Sequence, residues 1–165
     1  MPFTPFHFGP CAAIGLPARR KIDLPVFLLS NVVIDLEPGI ILLFGRHRPL
    51  HAVCHSFSVS LFLALGLTLV VYPFRKRVGK LMGRVRVPYQ TTFWKMFFSA
   101  LAGMWFHVMM DVPLYPDQRP FYPFPGNPFF GLASPELVYI LCALAFLPAG
   151  MFYAQAARAY LAKQD

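Results

Sequence analysis

Residues 57–74 carry no charged side chain and run from Phe57 through a Leu- and Val-rich stretch to Tyr72, Pro73 and Phe74. A helix needs about 20 apolar residues to cross a bilayer, and this run has that length and character. Immediately after it come Arg75, Lys76, Arg77, Lys80, Arg84 and Arg86. Such a cluster next to a span marks the cytoplasmic side of a membrane protein.

Composition agrees with this reading. The chain has 165 residues, of which 57% are hydrophobic and only 13% charged, and its mean hydropathy is +0.54. Soluble domains average roughly a quarter charged residues. With 18 phenylalanines, a water-soluble fold of this size would leave too much apolar surface exposed. The expected class is therefore an all-α integral membrane bundle, a single domain in contact with the lipid bilayer. The formal charge of +8 does not point to nucleic acid, because the basic residues sit at the ends of apolar segments and form no basic face on a soluble module. Cys11, Cys54 and Cys142 are too scattered for a disulfide framework or a Cys-x-x-Cys metal pair. No basic region precedes the first apolar residues, so a cleaved signal peptide is not expected.

About four membrane segments follow from the pattern. Residues 1–21 read as a Pro-rich start, a short helix from Gly9 or Pro10 and a basic anchor, Arg19-Arg20-Lys21. Residues 22–44 are long enough to span but contain Asp35, Glu37 and Pro38-Gly39. Charge at mid-span costs about 2.5–3.5 kcal/mol, and Pro-Gly interrupts helices, so a broken or re-entrant segment is expected there. Residues 57–74, 91–110 and 136–157 form the remaining spans. Residues 112–134 hold Pro113, Pro116, Pro120, Pro123, Pro125 and Pro128 among many aromatics. That loop is expected to cap one end of the bundle.

Ionisable residues within so apolar a chain need a reason. His107 and Asp111 are four residues apart, hence on one helix face, one turn from each other. His51 and His55 share that spacing. With the basic loops in the cytoplasm, His51, His55, His107 and Asp111 fall at the non-cytoplasmic end, and the segment holding Asp35 and Glu37 leads there. Imidazoles and carboxylates together suit zinc, and also manganese or iron. A shared cation would neutralise acids at membrane depth. Each element also has a plain reading: a helix-terminus acid pair, a capping aspartate, a satisfied histidine.

The order of these motifs resembles the YdjM-like family. It is carried by Thr4-Pro5-Phe6-His7-Phe8-Gly9-Pro10, Asp35-Leu36-Glu37, His51-Ala52-Val53-Cys54-His55-Ser56 and His107-Val108-Met109-Met110-Asp111. These are small bacterial inner-membrane proteins described as metal-dependent hydrolases and distantly similar to zinc-dependent phospholipase C. The resemblance implies a divalent metal, most simply zinc, as one or two ions held by Asp35, His51, His55, His107 and Asp111. It implies hydrolysis of an ester or phosphoester in a lipid-like substrate. Glu37 would then be a ligand or the general base, and His7 would complete the shell or donate to a leaving group. The alternative is a non-catalytic membrane protein with a structural metal site, a scaffold, or a small ion or solute transporter.

Overall fold

The computed structural model describes residues 4–44 and 53–162. His47 and His51 lie outside these residues. Among the described residues the chain is helical, with no strand. The elements are α1 (Thr4–Gly15), α2 (Leu24–Ile34), α3 (Leu36–Leu43), α4 (Phe57–Val71), α5 (Arg75–Arg84), α6 (Phe93–Asp111), α7 (Pro135–Leu144) and α8 (Phe146–Leu161), with one 3₁₀ turn, Tyr72–Phe74, joining α4 to α5.

Among the described residues, three stretches are long and apolar enough to cross a membrane: Leu24–Ile41, Phe57–Arg84 and Pro135–Leu161. Much of their apolar surface faces outward, as at Phe62, Leu69, Val70, Ile140 and Leu147. In a membrane that surface meets lipid. The expected span at 91–110 is α6, which is not one of the three. Its apolarity is diluted by Lys95, His107 and Asp111, and it packs against both α2 and α4. Met96, Ala100, Gly103, Met104, His107 and Asp111 recur every three or four residues and are all buried. That stripe is the inner face of a central helix.

Two close approaches fix how the helices meet. A Cβ at Gly103 would collide with the Phe27 carbonyl and the Ser30 side chain, so glycine lets α6 lie directly on α2. A Cβ at Gly9 would fall 2.5 Å from the Cys142 carbonyl, so α1 is seated equally tightly on the last rod. Small residues at such contacts are how membrane helices gain packing without a hydrophobic driving force between them.

The broken segment is broken differently from expectation. The helix stops at Ile34, Asp35 caps it, and α3 starts at once at Leu36. Pro38 and Gly39 lie inside α3. Pro38 falls in the first turn, where no intrahelical acceptor awaits its missing N–H. The start of the chain also differs: α1 begins at Thr4, not near Gly9, and His7 lies within it. Pro5 is tolerated there for the same first-turn reason.

The far end of α2 is organised by Asp23. This buried acid caps α2 by accepting from Val26 N at 3.2 Å, and accepts from Tyr89 Oη at 3.0 Å and from Thr91 Oγ1. Its own N–H donates to Ser99 Oγ at 2.7 Å. Burial, and then the Asp23 charge, hold the Tyr89 hydroxyl well above the usual tyrosine range.

Candidate metal centre

The start of α1, the end of α2, the residues before α4 and the end of α6 gather at one end of the bundle. His7, Asp35, His55, His107 and Asp111 meet there. His7 Nε2 lies 3.3 Å from Asp111 Oδ1, and Asp111 Oδ2 lies 3.2 Å from His107 Nε2. His107 Nε2 is also 3.2 Å from Asp35 Oδ1, which is 3.3 Å from His55 Nε2. Imidazole and carboxylate therefore alternate along a chain from α1 to the loop before α4. The His7 and His107 rings are 4.3 Å apart between centroids, and those of His55 and His107 5.4 Å.

Ligand atoms of Asp35, His55, His107 and Asp111 all lie within 4.8 Å of one another, so this group could hold a metal ion. His7, His55, His107 and Asp111 are buried, whereas the Asp35 side chain is 21% exposed. Asp35 is thus the edge of the group nearest to solvent or lipid.

The fit to a cation can be judged from two observations. Both ring nitrogens of His7 and His107, and Oδ1 of Asp111, are buried and make no hydrogen bond among the described residues. Orphaned buried polar atoms cost about 1–3 kcal/mol each. The Nε2 atoms of His7 and His107 come within 3.2–3.3 Å of carboxylate oxygens without hydrogen-bond geometry. A tetrahedral ion with bonds of about 2.0–2.1 Å sets its ligand atoms about 3.3 Å apart; three pairs in the group lie at 3.2–3.3 Å and the rest within 4.8 Å. Two carboxylates with neutral imidazoles also carry the charge that one divalent ion balances.

Glu37 stands beside this group in a different role. Its carboxylate accepts from Val53 N at 3.3 Å and from Cys54 N at 2.8 Å. It thereby ties α3 to the residues just ahead of His55. Ser56, the next residue, caps α4 by accepting from Val59 N at 3.3 Å. His55 is therefore fixed from both sides. The predicted ligand His51 lies outside the described residues.

The Pro-rich loop does fold over this end. Pro120 O accepts from Phe57 N at 2.9 Å, and Trp105 Nε1 donates to Phe57 O at 3.1 Å. Gln118 is fully buried in the cap. Its Nε2 reaches the His55 and Val108 carbonyls, each at 3.4 Å, bridging two of the segments that carry site residues. No periodicity marked Gln118, a lone amide between Asp117 and Arg119 in a loop without regular structure. Tyr115, also in the cap, has its hydroxyl held well above the usual range by burial and then by the charge of Asp111, which places it in the field of the site.

Comparison with known proteins gives no match to a family model, a curated protein or a solved structure.

Proposed function

We propose that this chain is a membrane-embedded, metal-dependent hydrolase of the YdjM-like type, acting on an ester or phosphoester of a lipid-like molecule. The supporting observation is the buried alternation of His7, Asp111, His107, Asp35 and His55, with contacts of 3.2–3.3 Å. Zinc suits this donor set best, since it takes imidazole and carboxylate ligands in tetrahedral sites.

Three of Asp35, His55, His107 and Asp111 would hold the ion and leave its fourth position to water, with His7 backing Asp111. A divalent ion held there would supply a bound water whose pKa falls from 15.7 to about 7. The chain's own contributions are positional. α6 presents His107 and Asp111 one turn apart, and Glu37 and Gln118 hold the backbone around His55. Partly exposed Asp35 is the side from which a substrate would approach. The cap covers His55 through the buried Gln118. A lipid-like substrate fits a site at the end of apolar, outward-facing rods.

A second reading has its own support. Four of the five side chains are almost fully buried, and closed sites are typical of structural metals. Hydrolysis of a phosphodiester and a carboxylate ester mimic, in detergent, separates the two. Turnover that a chelator abolishes and zinc restores supports the hydrolase; bound metal without turnover of any ester leaves the structural reading.

A further inference from the structure

At the opposite end of the bundle, Arg19, Arg20, Tyr89, Gln90 and Lys95 line a cavity of about 400 Å³. Lys95 and Asp111 lie near opposite ends of α6, about 24 Å apart at 1.5 Å rise per residue. The pocket is thus most of a bilayer thickness from the metal centre. Among the described residues no carboxylate lines it. Asp23 stands behind the Tyr89 wall, its oxygens engaged by Val26 N, Tyr89 and Thr91. Lys95 Nζ donates to the carbonyls of Arg19, Arg20 and Gln90 at 3.4, 3.2 and 2.6 Å. The ammonium therefore pins both walls of the cavity and keeps its shape while leaving it cationic.

A second cavity, of about 420 Å³, adjoins the first. It is an apolar groove lined by Leu16, Leu28, Met82, Phe146, Gly150 and Tyr153. The two linings are neighbours in the chain. Val87 lines the groove and Pro88 the pocket; Leu16 lines the groove and Arg19 the pocket. Arg19 donates back to the Leu16 carbonyl at 2.8 Å, which holds its guanidinium at this junction.

We propose that this paired cavity binds an anionic phospholipid, with the headgroup phosphate between Arg19 and Arg20 and an acyl chain in the groove beside Gly150. A cationic pocket beside an apolar groove is complementary to a molecule with a phosphate at one end and a hydrocarbon chain at the other. Basic pockets between membrane helices recognise lipid headgroups in this way. The pocket lies at the end where the basic residues of α5 and the 19–21 segment collect, the end that faces anionic lipid under the positive-inside rule.

The test is native mass spectrometry of the full chain in detergent, titrated with phosphatidylglycerol, with phosphatidylcholine of the same chains, and with inorganic phosphate. Phosphatidylglycerol is expected to bind about tenfold more tightly than phosphatidylcholine. Arg19→Gln with Arg20→Gln should erase that difference. Gly150→Leu should weaken both lipids, because a Cβ at Gly150 meets open space and the larger side chain fills the groove without a clash. Circular dichroism of each variant checks that the helices are kept. Equal binding of the two lipids by the wild type overturns the proposal. So does inorganic phosphate binding as tightly as phosphatidylglycerol and unaffected by Gly150→Leu, which would mean an anion pocket without a lipid.

Discussion

His107 Nε2 and Asp35 Oδ1 lie 3.2 Å apart, although one residue is in α6 and the other caps α2, far apart in the chain. Asp35 is in place because α2 stops there, and His107 because the buried stripe of α6 continues to the end of that helix. Their meeting joins the two halves of the site, and it depends on how closely α2 and α6 pack.

That packing runs through Gly103. Substituting Gly103→Val forces new atoms against the Phe27 carbonyl and Ser30. Overpacking of this kind costs about 1–3 kcal/mol, and the helices must separate. The variant should melt several degrees lower and lose metal affinity as well, even though Gly103 is no ligand. Thermal unfolding followed by circular dichroism, with metal analysis of the same sample, checks both parts.

Glu37 separates two mechanistic assignments. Its carboxylate holds Val53 and Cys54 in front of His55. If positioning is its role, Glu37→Gln should weaken metal binding by about tenfold, as loss of outer-shell support commonly does. A general base would instead leave metal content intact and abolish turnover. Metal titration and turnover on one preparation distinguish these results, and the hydrogen bonds favour the first.

Asp23 provides the contrast between a structural acid and a site acid. Asp23→Ala removes the cap of α2 and the partner of Tyr89 and Thr91. A lost cap and a lost buried hydrogen bond each cost about 1–2 kcal/mol. Stability should fall while metal stoichiometry stays unchanged in the folded fraction.

Arg86 tests a local rule of helix ends. It has φ 57°, and Val87 N donates to Met82 O at 3.0 Å, closing α5. The left-handed conformation suits glycine, so Arg86→Gly should raise stability by about 0.5–1 kcal/mol, visible as a higher midpoint of thermal unfolding.

Several features of this arrangement were legible from residue spacing. The i, i+4 relation of His107 and Asp111 holds on any helix, and the basic loops alone put His55 at the same end. Asp35 stood out because carboxylates are rare in apolar runs. Other features depended on contacts that spacing does not encode. Pro38-Gly39 read as a helix break, but a proline in a first turn is harmless once Asp35 has already ended the preceding helix. Asp23 carried no marker in the sequence, because Tyr89 and Thr91 approach it from far along the chain. Gln118 gave no signal, since a buried amide in an irregular loop follows no period. The role of Glu37 rests on two backbone amides, which no side-chain pattern reveals.

The most direct test is elemental analysis of purified protein, wild type beside Asp111→Asn and His107→Ala. Wild-type chain should carry at least one divalent ion, and both variants should lose most of it while keeping their helical circular dichroism. Wild-type protein that folds and takes up no ion, even when dialysed against zinc, would contradict the account.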